Sequence, residues 1–186
     1  QMEHLERITK GKSGTVVALE NFDKIGLEKY QERGGSHARK ALTKMTASMK
    51  AHISKVYQRY LDKKSKYTKT NVNICFNGKD LEPWDPFCED EAEMILEDGF
   101  EVKDTYGADL GIVILNAWIL PRKEDFSSPE AHKRAYGGVS TKKQATDKQG
   151  IYVYRENRLI HDASWLKLYS KEPHYNLLRV NFSFEA

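Results

Sequence analysis

Phosphate binding is the first chemistry that the residue types suggest. Gly11-Lys12-Ser13 ends like a nucleotide-binding loop, but that loop needs a glycine five residues before Gly11 and a strand leading into it. Glu6 stands at that position and the residues before it are polar, so the pattern fails. His161-Asp162-Ala163-Ser164 holds the three side-chain types of a nucleophile relay. Such a relay is assembled in space, not from sequence neighbours, and no Gly-x-Ser-x-Gly elbow accompanies it. The six histidines (His4, His37, His52, His132, His161, His174) are scattered, none in the i, i+4 pair of a helical metal site and none near a cysteine. No metal site is expected. Cys75 and Cys88 lack metal-ligand spacing, and Cys75 reads as a reduced side chain in a strand.

Cations interleaved with aromatics are the remaining chemical signal. Lys142, Lys143 and Lys148 lie in a basic loop, with Arg155 and Arg158 following and Tyr152 and Tyr154 between them. Lysines can neutralise phosphates and tyrosine rings can stack on bases, so this stretch is the better nucleic-acid candidate. The opposing reading is packing, because tyrosines within a strand mostly face a core. Trp84 lies in the rigid segment Pro83-Trp84-Asp85-Pro86-Phe87, which has little backbone entropy to lose on docking against a neighbouring domain.

These residues need elements to hold them. Ser36 reads as a helix cap after Gly34-Gly35. A long helix is expected over residues 37–63, with Leu42, Met45, Met49, Ile53, Val56, Tyr57 and Tyr60 forming an apolar stripe. Its polar face carries Arg39, Lys40, Lys44, Lys50, Lys55, Arg59, Lys63 and Lys64, which could bind phosphates but reads first as a solvated face. Strands are expected at 15–19 and 71–76, the latter closing on Asn77-Gly78, a short-hairpin signal. The acidic stretch 89–104 reads as loop or strand rim. The apolar run 110–120 reads as a central strand ended by Pro121. Ser128-Pro129 starts a helix that runs to about Tyr136, before Gly137-Gly138. Strands follow at Ile151 and Leu159 around a turn at Arg155-Glu156-Asn157, then a helical or irregular piece at 165–169 and an alternating strand at 177–184. This order indicates an α+β fold.

A chain of 186 residues suits one domain with a buried core. Hydrophobic content of 39% beside 31% charged residues indicates a large solvated surface, or a domain without its partner. A net charge of +3 gives no global argument for nucleic acid. No apolar run approaches the ~20 residues of a membrane span, and the N-terminal residues do not read as a signal peptide. A cytoplasmic protein is expected, with no membrane partner.

The string Gly150-Ile151-Tyr152-Val153-Tyr154-Arg155-Glu156-Asn157-Arg158-Leu159-Ile160 resembles the second domain of GHKL-type ATPases, the gyrase, Hsp90, histidine kinase and MutL superfamily. The likeness is greatest to bacterial MORC-like and MutL-like members. Val72 to Phe87, with its Asn-Gly turn and Pro-Trp-Asp-Pro-Phe tail, resembles the same proteins. So do Gly14-Thr15-Val16-Val17 with Phe22-Asp23-Lys24-Ile25 and, more weakly, His52-Ile53 with Tyr57 to Leu61. The matches keep family order from Gly14 to Phe184.

The resemblance implies a transducer domain with a ribosomal-protein-S5 domain 2-like fold, a mixed sheet with helices packed on one face. Residues 1–13 are then a linker remnant and 14–186 the domain, a fragment of a larger ATPase. The superfamily's ATP-site motifs are missing. Gly107-Ala108-Asp109-Leu110-Gly111 and Tyr136-Gly137-Gly138 are the nearest strings, and neither has the spacing. The chain alone is therefore expected to be no enzyme and to hold no cofactor, whereas the parent would use ATP and Mg. The lysine that senses the γ-phosphate is expected after Ala186. The implied partners are the N-terminal ATP-binding domain of the same polypeptide and possible DNA, in a parent expected to be a homodimer. Trp84, Asn157 and Arg158 are the candidates for domain contact. The alternative is a stand-alone nucleic-acid-binding module using helix 37–63 and loop 139–158, with Lys142, Lys143, Lys148 and Arg155 as contacts.

Overall fold

The computed structural model describes residues 15, 17, 35–136 and 146–185. The linker reading of 1–13, most of the expected first strand, and Lys142 and Lys143 lie outside these residues. The chain divides into two compact units, residues 1–45 and 46–186.

Helix α1 spans Ser36–Val56, beginning in the first unit and ending in the second. Within the first unit, Arg39 N donates to Gly35 O at 3.0 Å and Thr43 Oγ1 donates to Arg39 O at 2.9 Å.

In the second unit the helix stops at Val56 and a short α2 follows over Gln58–Leu61. The expected run to Lys63 ends early because Asp62 turns extended and its Oδ1 accepts Lys64 N at 2.9 Å, a local bond that competes with the helical ladder. Val72 N donates to Tyr60 O at 2.9 Å, so most of the expected 71–76 strand is tied to the end of α2 instead of a ladder. Only Cys75–Phe76 (β1) pairs, with Lys79–Asp80 (β2). Between them Asn77 (φ 52°) and Gly78 (φ 77°) make the expected tight turn.

Five strands form one mixed sheet: β3 (Glu93–Lys103), β4 (Asp109–Ile119), β5 (Gly150–Arg155), β6 (Arg158–Ser164) and β7 (Leu178–Phe184), in the order β3-β4-β7-β5-β6. Neighbours are antiparallel except β5 and β7, which run parallel. The class is α+β, as the element order indicates. Two positions differ from expectation. Stretch 89–104, read as loop or rim, contains the edge strand β3. The apolar run 110–120 is β4, but the innermost strand is β7. β7 is disguised in the sequence because its inward residues are polar: Arg179 and Asn181 are both 0% exposed.

Registers and strand alternation sort the sheet into two faces. The inner face carries Trp118 and Asn116 of β4, Arg179, Asn181 and Ser183 of β7, and Tyr152 and Tyr154 of β5. Phe87 packs there, its ring centroid 4.6 Å from Trp118 and 5.5 Å from Tyr152. Leu159 and Ala163 of β6 complete this core. A second cluster joins Cys88, Leu120 and Phe126 to helix α3 (Pro129–Ala135). Ser128 Oγ accepts Ala131 N at 3.1 Å with Pro129 in the first turn, the expected helix start. Buried Gln149 pins the irregular 165–176 segment: it accepts from Trp165 Nε1 at 3.0 Å and donates to Glu172 O and Asn176 Oδ1, each at 2.8 Å.

Candidate functional site

Arg59, on α2, is 1% exposed, although its place on a lysine-rich helix face suggested solvent. Its guanidinium lies 3.8 Å from the ring centres of both Tyr67 and Tyr154, a cation held between two π-faces. Its Nη2 donates to Asn181 Oδ1 at 2.9 Å, and its Nη1 to Ser183 Oγ at 3.0 Å and Asn157 Oδ1 at 3.3 Å. Asn181 Nδ2 in turn donates to Asn116 Oδ1 at 3.0 Å. One side chain thus ties α2 to β7 and the β5–β6 turn, and through Asn181 to β4. Burial lowers the Arg59 pKa, while the facing tyrosines and the carboxylates of Glu89 and Asp85 favour the charged form. The polar alternation at Arg179, Asn181 and Ser183 was the available signal, and it does not locate Arg59 without the fold.

The β5–β6 turn is held from two sides. Glu156 (φ 48°) and Asn157 (φ 62°) adopt the left-handed backbone that a two-residue hairpin requires. Tyr60 Oη donates to Glu156 O, and Glu156 N donates to Phe184 O at 3.2 Å. Asn157, a domain-contact candidate, is half-buried and spends its side-chain oxygen on Arg59. Arg158 is exposed and lines a groove of about 660 Å³ with Arg155, Tyr57, Tyr60 and Ile160.

Trp84, the third candidate, is also engaged within the domain. Its indole Nε1 donates to Arg134 O at 2.8 Å and its backbone N to Ser54 O at 3.2 Å, linking α1 to α3. Lys148 Nζ stands 4.6 Å from the Trp84 ring centre. Arg155 sits at the other end of β5, about 20 Å away at strand rise, so Lys148 and Arg155 do not form one patch. Tyr152 and Tyr154 are each 0% exposed, so neither can stack on a base. The basic face of the long helix is likewise partly consumed: Arg59 is buried, Lys55 pairs with Asp162, and Lys50 lies 5.4 Å from the Phe76 ring centre.

The other chemical candidates are not assembled. Asp162 is engaged by Lys55, and Ser164 Oγ accepts Leu166 N at 3.1 Å, so His161, Asp162 and Ser164 make no relay. The 107–111 string spans the end of the β3–β4 turn and the first residues of β4, with Asp104 Oδ1 accepting Tyr106 N and Ala108 N at 2.8 Å each. Cys75 and Cys88 are both free, and burial pushes the Cys88 thiol up to about 12. Among the described residues no cluster could hold a metal ion, and no helix is long and apolar enough to cross a membrane.

Asp85 gives a pH prediction. Burial pushes its carboxyl up to about 6 from 3.8, against the lowering effect of the Glu89 and Phe87 N–H groups, which donate to it at 2.9 Å each. Between those values the folded state binds more protons than the unfolded one, so this group's contribution to stability falls as pH rises from about 4 to about 6 and is flat above. Asp85→Asn gives up one acceptor and, having no carboxyl to titrate, loses this slope. Urea midpoints at several pH values should therefore show the variant gaining on the parent across that window. A constant difference would mean that Asp85 titrates normally.

The chain has no match among family models, curated proteins or solved structures.

Proposed function

We propose that this chain is the transducer domain of a GHKL-type ATPase, with the S5 domain 2-like fold, coupling ATP binding in a preceding domain to dimerisation and to DNA or client engagement. The observation that carries this reading is the β3–β4 arm. Met94, Leu110, Ile112 and Ile114 on its inner face and Leu96, Phe100 and Ile119 on its outer face are between 40% and 54% exposed. An arm with apolar side chains exposed on both faces favours a covering partner. The ATP-binding domain of the same polypeptide is the partner that the sequence resemblance supplies.

The Arg59 junction supports the coupling half of the proposal. A push on α1 and α2 reaches β7 and the β5–β6 turn through a buried, charged tie instead of through deformable packing. The end of β7 lies beside that turn, since Glu156 N bonds Phe184 O. A lysine just beyond the last strand would therefore leave the sheet beside Asn157 and Arg158.

The test is ATP turnover by the preceding domain, with and without this chain extended past Ala186. Stimulation that vanishes when the added lysine becomes alanine is the expected result. Phe100→Glu with Ile112→Glu should reduce the stimulation by about tenfold, one decade per ~1.4 kcal/mol of lost docking. The same pair should leave the urea midpoint almost unchanged, because exposed positions cost little. No stimulation, with both parts folded, would sink the transducer reading.

A further inference from the structure

A cavity of about 640 Å³ opens between the second-unit part of α1, the Trp84 segment and α3, a size typical of small-ligand sites. Its charged lining is Lys55, Lys133, Arg134 and Lys148 against Glu82 and Glu130. Its walls are fixed in place. Trp84 is held by Ser54 O and Arg134 O. The Lys148 carbonyl accepts the buried Tyr152 hydroxyl at 2.8 Å, which sets where that lysine leaves the chain. Asp162 holds Lys55. Lys148 is half-buried across the indole face, close enough to Lys55 for the two charges to repel. Lys55 is paired with Asp162, whereas Lys148 has no carboxylate within ion-pair distance among the described residues, so its ammonium is left to face the cavity. A dianionic oxyanion fits that field, and lysine is a point-charge binder of phosphate.

We propose that this cavity binds a phosphate group, with Lys148 and Lys55 as its ligands and the Trp84 indole as the apolar wall beside it. The phosphate could belong to a small free ligand or to a nucleic-acid backbone, and the chemistry at the two lysines is the same. The proposal stands on the cavity alone and does not depend on the transducer reading.

Binding can be followed by tryptophan fluorescence and calorimetry at constant ionic strength, using inorganic pyrophosphate, AMP and a short single-stranded oligonucleotide as probes. Saturable binding is expected for at least one probe. Lys148→Met, which keeps the stem over Trp84 and removes the charge, should weaken it by about tenfold or more, as should Lys55→Met. Lys79→Ala, on β2 and outside the cavity, should not. Binding of pyrophosphate or AMP would assign a small free ligand. Binding of the oligonucleotide alone, with the same dependence on Lys148, would assign a nucleic-acid backbone. Absence of saturable binding by any probe to the folded chain would overturn the proposal. So would binding weakened equally by Lys79→Ala and Lys148→Met, which would mark a general charge effect.

Discussion

Arg59→Ala should destabilise the domain by about 3–5 kcal/mol, from buried acceptors that lose a donor and from the cavity that the side chain leaves. The truncation leaves the Asn157 side-chain oxygen and the Ser183 hydroxyl oxygen without the donor that Arg59 supplies, takes one of two donors from Asn181 Oδ1 (the Ser183 hydroxyl, at 2.6 Å, is the other), and opens a gap between the Tyr67 and Tyr154 rings. At a few degrees per kcal/mol for a domain of this size, the melting temperature should drop by about 10 °C. Arg59→Met separates the contributions: it refills the space between the rings without supplying a donor. Its cost should fall between those of the parent and Arg59→Ala. A loss below about 1 kcal/mol for Arg59→Ala would show that the junction contributes no more than an exposed charge.

Gly150→Ala should cost about 3 kcal/mol, although alanine is the smallest possible addition. Gly150 sits at φ 112°, and a Cβ there would lie 2.8 Å from Ser164 O and 2.9 Å from Ser164 C. The clash is with backbone of the paired strand β6, which cannot swing aside as a side chain can. Backbone strain and overpacking each contribute about 1–3 kcal/mol. Gly78→Ala is the comparison. Gly78 also has a positive φ, 77°, but nothing lies within 4 Å of a Cβ there, so only the conformational cost of about 1 kcal/mol applies. Chemical denaturation of the two variants side by side would test this. Equal losses would mean that the close approach of β6 to Gly150 carries no weight.

The legible parts of this fold are those that neighbouring residues decide. Asn77-Gly78 and Glu156-Asn157 form their turns because the backbone geometry is local. Ser128-Pro129 starts α3 because cap and first turn lie within four residues. The alternation at Ile151 to Tyr154 shows a strand, and its tyrosines pack in the core. The candidate site was legible only in part. Trp84 and Lys148 were each singled out, for different reasons, but their meeting across one cavity joins segments 64 residues apart in number and could not be read from either.

Sequence alone determined the class of the fold, its tight turns and the strand character of its C-terminal half, because propensity and hydrophobic period act over a few residues. Tertiary structure decided which strand is innermost, that the acidic stretch pairs as β3, and that a guanidinium on a basic helix face is buried. Each of these depends on partners remote in the chain: β7 on both β4 and β5, and Arg59 on Asn181, Ser183 and two tyrosine rings. An arginine is stable in a core only when distant residues supply its acceptors, and no local pattern reports whether they do.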